Sequence, residues 1–425
     1  MTKKLLGERI HMKMDLTDLI YALSFALDKV EYELLGVETG HGRRVACLCL
    51  FMAEHAGIRG EELRDYIGCC VLHDNALTEF IQEELGSFKY TTDESQPLSD
   101  VININLVKHD SNHCKIGERN IHLIPFRTNV DNIILYHHEN ADGSGPLGKT
   151  AAETGLKAQI LHLADEIDLH HKLSNLTESE FNRLSEWVQS QSGKMFSEKV
   201  VQLFLDAVTY DKILYLENKG AFSSLKRGLH TVTSDYSDEE IHSFARMFAG
   251  IIDYKSEFTQ THSLGVADKA EQMANYYGFD HEKTTRFYLA GALHDIGKLL
   301  VSNNILEKPG KLTDDEFSAM KDHASATRYV LRLVKGIPDV VKWASNHHEK
   351  LNGKGYPRGL TAEDLSFEER LMACVDIYQA LTEQRPYKDG MPHEKAIAIM
   401  QNMVDKGEID AAIVQDMAIV MANAS

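Results

Sequence analysis

The stretch Leu293–Lys298, reading LHDIGK, lies inside an apolar segment that runs from Phe287 to Leu300. Read as a helix, this segment turns by about 100° per residue. His294 and Asp295 then reach into one cleft, and Lys298 follows four positions after His294 on the same face. A charged pair in an apolar helix is unfavourable unless it is paired or ligates a metal. Two readings fit: a helix end closed by an Asp295–Lys298 salt bridge, or a pair of metal ligands beside a cation that holds phosphate.

Other residues at intervals along the second half of the chain bear on the choice. His262 stands in FTQTHSLGVADKA, His323 in KDHASAT, His347 and His348 open HHEKLNGKGYP, and Asp376 lies in LMACVDIYQAL. Each histidine alone reads as a surface or satisfied core residue. Together His262, His294, Asp295, His323, His347, His348 and Asp376 are more ligands than one metal uses. Two metals sharing a bridging carboxylate can use them all. Imidazoles and carboxylates without a thiolate point to iron or manganese ahead of structural zinc.

These motifs resemble the HD-GYP phosphodiesterases, a branch of the HD-domain metal hydrolases. The match runs from about Asp253 to Tyr387 and takes in LHDIGK, ILEKPGKLTDDEF, the His323 segment, HHE, GYPRGL and RPYK, which ends at Lys388. The resemblance implies a helical bundle, a centre of two or three irons or manganeses, and hydrolysis of cyclic dinucleotides, usually cyclic di-GMP. On this reading Asp295 bridges two metals, with His262, His294 and Asp376 on one and His323, His347 and His348 on the other. A phosphodiester repels hydroxide, so its hydrolysis needs a metal-generated nucleophile and cations that offset the developing charge. Lys298 would hold a phosphate oxygen, Arg385 and Lys388 the second phosphate, and Tyr356 a base or a phosphate. The alternative for Gly353, Gly355 and Pro357 is an ordinary turn.

Three positions depart from the family pattern. Phe258 stands where trinuclear members have Glu, so two metals are expected; Asn352 and Gln379 each replace an Asp. Cyclic di-GMP is the first substrate to consider, the linear dinucleotide the second and cyclic GMP-AMP the third. Two other classes are a cyclic-dinucleotide receptor without turnover, which a turnover assay separates, and an HD hydrolase of other nucleotides, which would lack the HHE and GYP segments.

Composition bounds these readings. The 425 residues suit two domains, and 43% hydrophobic with 26% charged residues is ordinary for a globular protein. With 45 basic and 64 acidic residues the net charge is −19. This balance argues against a nucleic-acid polymer as partner while allowing a small anionic ligand. The six cysteines, Cys47, Cys49, Cys69, Cys70, Cys114 and Cys374, lack paired metal-ligand spacing and read as buried free thiols. Without a signal-like start or an apolar run of about 18 residues, the expectation is a cytoplasmic protein away from membranes. A homodimer is compatible with the sequence.

An internal repeat organises the chain. ETGHGRRVACL matches the His262 segment and CCVLHDNAL matches GALHDIGKL: His41 and His262, like His73 and His294, are 221 positions apart. His113 matches His323 and His137–His138 match His347–His348, each 210 positions apart, and Asp165 matches Asp376 at 211. The insertion lies between Asn75 and His113, where VININL suggests a small strand or extended arm. The first copy keeps every ligand type: His41, His73, Asp74, His113, His137, His138 and Asp165. It has Leu77 for Lys298 and Gly145, Pro146, Leu147 for Gly355, Tyr356, Pro357, and lacks RPYK. Residues 1–220 are therefore expected to form a degenerate domain that holds metal without turnover or serves as a scaffold, and residues 221–425 the catalytic domain. The join lies near Gly220 to Asp235. Helical periodicity over Asp15–Leu35, Glu178–Gln191, Ser197–Leu216 and Asp238–Tyr254, capped by Thr177, Ser197 and Ser237, predicts an all-α protein of two tandem HD-type bundles.

Overall fold

The computed structural model describes residues 12–35, 39–84, 110–171, 173, 176–216, 225, 233–256, 261–308, 310–384 and 389–423. The chain divides into two compact units: Leu23–Val232, and Met1–Ala22 together with Thr233–Ser425. The second unit thus takes in residues from the start of the chain, which the sequence alone assigns to residues 1–220. Its strands β1 (Met12–Met14) and β2 (Ser234–Tyr236) pair antiparallel in the register Met12↔Tyr236, Lys13↔Asp235, Met14↔Ser234. Met12 and Met14 face the core, so both ladder hydrogen bonds and apolar burial hold this short ribbon in place. The strand read into the insertion falls outside the described residues.

Helix α1 (Leu16–Leu35) crosses the division between the units. The first unit continues with α2 (His41–His55), α3 (Gly60–Val71), α4 (Leu77–Glu84), α5 (Asn112–Ile121), α6 (Leu156–His170), α7 (Glu178–Ser190), α8 (Glu198–Ala207) and α9 (Tyr210–Tyr215). α2 packs on α3, α6 and α8. The caps act as read: Thr177 and Ser197 accept from the backbone N–H of Glu180 and Val200. The span Ser197–Leu216 is not one helix. It breaks at Val208 and Thr209, where Thr209 caps a new helix by accepting from the N–H of Lys212.

The second unit comprises α10 (Asp238–Asp253), α11 (His262–Tyr276), α12 (His281–Leu293), a 3-10 turn (Ile296–Leu300), α13 (Asn303–Leu306), α14 (Asp314–Leu331), α15 (Pro338–Ser345), α16 (Phe367–Thr382), α17 (His393–Asp405) and α18 (Ala411–Val420). α12 packs on α10, α11 and α15, and its residues from Phe287 to Leu293 are all buried, which makes it the central helix of the unit. The Ser237–Glu240 capping box starts α10.

The apolar run Phe287–Leu300 departs from the single helix expected. α12 stops at Leu293, His294 caps it, and the chain tightens into the 3-10 turn. The cause is packing on α14. A Cβ on Gly297 would lie 2.0 Å from the carbonyl oxygen of His323, so only glycine allows this approach. Thr327 then closes the break: its hydroxyl donates to the His294 carbonyl (2.9 Å) and accepts from the Gly297 N–H (3.1 Å). Among the described residues no helix is long and apolar enough to cross a membrane.

Candidate metal centre

The break after Leu293 turns His294 and Asp295 to the place where four other elements deliver their ligands. In the second unit, α11 brings His262, α14 His323, the turn after α15 His347 and His348, and α16 Asp376. One ligand atom from each of His262, His294 and Asp376 lies within 4.8 Å of the others, and the same holds for His323, His347 and His348. Asp295 sits between the two groups. Its Oδ2 is 3.2 Å from His294 Nε2 and 3.9 Å from His262 Nε2, and its Oδ1 is 3.5 Å from His323 Nε2 and 3.8 Å from His347 Nε2. Asp376 Oδ1 is 3.1 Å from His262 Nε2, and its Oδ2 is 3.8 Å from His348 Nδ1.

The imidazoles are oriented from behind. The Nδ1–H groups of His294, His323 and His347 donate to the carbonyls of Gly291, Met320 and Ala344, each three residues earlier, which leaves Nε2 facing the cluster. His262 Nδ1 is held at 2.8 Å by Glu383, a residue the sequence reading missed because it carries no motif of its own. Burial opposes charge on His262, yet the Asp376 and Glu383 carboxylates push it up to about 10. Burial likewise opposes ionisation of Asp295 and Asp376, but the surrounding histidines, and Lys298 for Asp295, hold both below the ordinary carboxylate range. Burial pushes His348 down to about 3 and lowers His323 and His347, so their lone pairs are available. His294 Nε2 and Asp295 Oδ1 are buried without a hydrogen bond of acceptable geometry. Buried polar atoms of this kind call for a cation, and a carboxylate flanked by two imidazole-rich groups fits a pair of divalent ions.

Lys298 pairs with Asp295 and lines a cavity of about 280 Å³ bounded by Lys255, Ser256, Ile305, Lys308 and Met320 among others. The Asp295–Lys298 salt bridge read as one alternative in the sequence is thus present, and it lies inside the cluster. Tyr356 stands on the other side, its ring 4.7 Å from that of His348 and its N–H donating to the His348 carbonyl. The turn that carries it is tied by Glu349, whose carboxylate accepts from the N–H groups of Arg358 (2.7 Å) and Leu360 (2.9 Å). Gly355 is required there, since a Cβ would meet the backbone nitrogen of Lys350 at 2.3 Å. Asp253, buried and pushed up to about 7, accepts from the N–H and hydroxyl of Ser263 and so fixes the start of α11. Arg385, Lys388 and Phe258 lie outside the described residues.

Residues 246–413 match the HD domain family. Over 415 residues, 95% of this chain and 91% of the relative, the sequence is 28% identical to the 3'3'-cGAMP-specific phosphodiesterase 1 of Vibrio cholerae. It is 39% identical over 145 residues, 34% of this chain and 35% of the relative, to a cyclic di-GMP phosphodiesterase of Pseudomonas aeruginosa. A crystal structure of a cyclic GMP-AMP specific phosphodiesterase of V. cholerae superposes with a TM-score of 0.61, covering 96% of this chain and 98% of that one at 23% identity, a likeness of fold. Residues 246–413 thus carry an HD domain, and the chain is similar to cyclic-dinucleotide phosphodiesterases along most of its length.

The first unit repeats the arrangement of the second with altered parts. His41 Nε2 and His73 Nε2 approach Asp165 Oδ1 at 3.2 and 3.6 Å, and Asp74 Oδ2 is 3.5 Å from His73. His138 Nδ1 is 3.7 Å from Asp165 Oδ2, and His113 and His137 donate from Nδ1 to the carbonyls of Asp110 and Ile134. Glu139 ties its loop as Glu349 does, accepting from Leu147 at 2.6 Å. No lysine stands at the place of Lys298, because Leu77 is buried there. Three further buried donors escaped the sequence reading: Cys114 beside His113 and His137, and His162 with Glu166 beside His138. A cysteine adjacent to a repeated histidine was the available signal. All six cysteines are free and buried.

Proposed function

We propose that the second unit hydrolyses a cyclic dinucleotide at the cluster around Asp295. The observation that carries this reading is the pairing of two three-ligand groups across one buried carboxylate, next to a lysine that also lines a cavity. His262, His294 and Asp376 would hold one divalent ion and His323, His347 and His348 the other, with Asp295 between them; iron or manganese suits these donors. Bound ions would supply Lewis-acid polarisation and a nucleophile at neutral pH. Lys298 places a point charge at the phosphoryl group, which offsets charge that grows in the transition state. Lys255 and Lys308 extend the positive lining for the second phosphate, the role that the sequence resemblance gives Arg385 and Lys388. Tyr356, whose phenol burial pushes up so that it stays protonated, can donate to a phosphate or pack on a base.

Cyclic di-GMP is the first substrate of this reading. One observation favours a second, 3'3'-cyclic GMP-AMP: the V. cholerae relative that matches 95% of the chain is specific for it, whereas the P. aeruginosa cyclic di-GMP enzyme matches 34%. The test is turnover of a panel of cyclic dinucleotides by the full chain purified anaerobically, with its iron and manganese measured in the same sample. Conversion of a cyclic dinucleotide to a linear product is expected. Tight binding without turnover in metal-loaded protein would make the chain a receptor instead. The first unit, with Leu77 and Pro146–Leu147 in place of the lysine and the tyrosine turn, is assigned no turnover: the fragment Met1 to about Lys219 should hydrolyse none of the panel.

A further inference from the structure

His113 and His323 are equivalent by the repeat, and the residue that follows is Cys114 in the first unit and Ala324 in the second. The difference tells at the inward nitrogens. In the second unit His323 Nε2 faces Asp295 Oδ1 at 3.5 Å, whereas in the first His113 Nε2 faces Cys114 Sγ at 3.4 Å. His113 Nδ1–H is spent on the Asp110 carbonyl at 2.9 Å, so Nε2 carries the lone pair of that ring and the free Cys114 thiol donates to it. The sulfur is not placed to share an ion with His137. It lies 3.8 Å from Nδ1 of that ring, whose hydrogen is committed to the Ile134 carbonyl at 2.6 Å.

The other ligand group of the first unit keeps the geometry of a metal site. His41 Nδ1 donates to Asp168 at 2.8 Å and His73 Nδ1 to the Cys70 carbonyl at 3.0 Å, which turns Nε2 of both rings inward. The two nitrogens converge on one oxygen, Asp165 Oδ1, at 3.2 and 3.6 Å, and Asp74 Oδ2 lies 3.5 Å from His73 Nε2. Bonds of about 2.0–2.2 Å to nitrogen and oxygen place neighbouring donors roughly 3.0–3.6 Å apart, from octahedral to tetrahedral geometry. All three spacings fall in that range. His73 is 1% exposed, and its Nε2 has no hydrogen bond of acceptable geometry. Glu31 adds to the demand for a cation: its Oε2 is buried without a partner, and its Oε1 would lie 3.9 Å from a Cβ on Gly42, the residue after His41.

From this we infer that the first unit holds a single divalent ion, bound by His41, His73, Asp74 and Asp165, and that Cys114 keeps the neighbouring position closed. The ligands come from the start of α2, the turn after α3, and α6, so one ion ties three helices together. Two imidazoles with two carboxylates suit manganese or iron. At the neighbouring position His137 Nε2 and His138 Nδ1 are buried without a hydrogen-bond partner. What that position lacks is the lone pair of His113, which the thiol occupies, so it is latent rather than dismantled. A lone ion cannot hold a nucleophile between two metals, and the first unit would keep its metal for structure. The inference does not depend on the second unit's activity, and its test reads metal, not turnover.

The test is titration of the metal-depleted full chain with Mn²⁺ alone, with bound ions counted from the loss of the free-ion electron paramagnetic resonance signal. The second unit contributes equally to the wild type and to every variant, so it cancels in the differences. His73→Ala and Asp165→Asn should each bind one ion fewer than the wild type, and His137→Ala the same number. Cys114→Ala, which gives the first unit the residue found at Ala324, should bind one ion more. Cys114→Ser, whose hydroxyl can still donate to His113 Nε2, should gain none. An unchanged count in His73→Ala and Asp165→Asn, an ion lost in His137→Ala, or no gain in folded Cys114→Ala would overturn the assignment. Using two ligand variants guards against one failing to fold, and circular dichroism verifies the fold of each.

Discussion

The first histidine of each copy is held from behind by different residues. In the first unit, His41 Nδ1 donates to Asp168 at 2.8 Å, and Arg44 clamps the same carboxylate at 2.7 and 2.8 Å. In the second, Gln379 replaces that aspartate by the repeat, Gly265 replaces the arginine, and Glu383 reaches His262 Nδ1 at 2.8 Å from one turn later. The replacements are coupled. A Cβ on Gly265 would lie 2.2 Å from Gln379 Nε2, so the longer glutamine occupies space that a side chain at 265 would need. Gln379 in turn donates to Glu383 and accepts from Lys269 at 2.6 Å. An anionic acceptor behind the imidazole recurs in both copies, while the position that supplies it has moved.

The largest expected contrast between the copies is at the central carboxylate. Asp295→Ala should reduce hydrolysis by several powers of ten and lower the metal content of the protein, because its Oδ2 faces His294 and its Oδ1 faces His323, one in each ligand group. Asp74→Ala should leave turnover within about twofold, as the first unit is assigned no chemistry. A comparable loss in both variants, measured by steady-state hydrolysis, would show that the two clusters work together and break the contrast.

Next in size is the cation. Lys298→Ala should retain metal by elemental analysis but turn over about 10² to 10³ times more slowly, the usual cost of losing one group that stabilises transition-state charge. Loss of metal instead would make Lys298 a structural partner of Asp295, which its contact with that carboxylate also allows.

Much of this was legible in the sequence, for a physical reason. Cap residues report helix starts locally, so Thr177, Ser197 and Ser237 marked α7, α8 and α10 correctly. Repeated spacing preserved the order of ligands, so the histidines and aspartates that meet around Asp295 were found before any distance was known. What failed depended on contacts far along the chain. The end of α12 at Leu293 is set by Thr327 and the His323 carbonyl, while the apolar run continues to Leu300 because the 3-10 turn is mostly buried as well. The pairing of Met12–Met14 with Ser234–Tyr236 joins segments over 200 positions apart, with three residues each and no periodicity to read. Glu383 and Cys114 went unnoticed because each acts through a neighbour in space.

Removing the acceptor behind each first histidine should have a smaller effect. Glu383→Ala and Asp168→Ala should each weaken metal binding in their own unit by roughly 10- to 100-fold, as such supports typically do. Asp168→Ala should also lower thermal stability, since it strands the Arg44 guanidinium it pairs with. Metal titration of the two variants, with the unaffected unit as internal reference, measures both effects.

The smallest effect, and the sharpest test of the displaced acceptor, is Gln379→Asp. Returning an aspartate to this position places a second carboxylate beside Glu383, which burial disfavours, with Lys269 near enough to offset part of that cost. Since His262 Nδ1 is already satisfied by Glu383, turnover and metal affinity should change by no more than about threefold. In the Glu383→Ala background the same substitution meets an unsatisfied imidazole and no competing anion. Aspartate at 379 should then regain part of the lost affinity, as Asp168 does for His41 without any acceptor one turn later. Equal loss in Glu383→Ala and in the double variant would mean that the anionic support cannot be moved back along α16, and that Gly265 and Lys269 have committed this copy to Glu383.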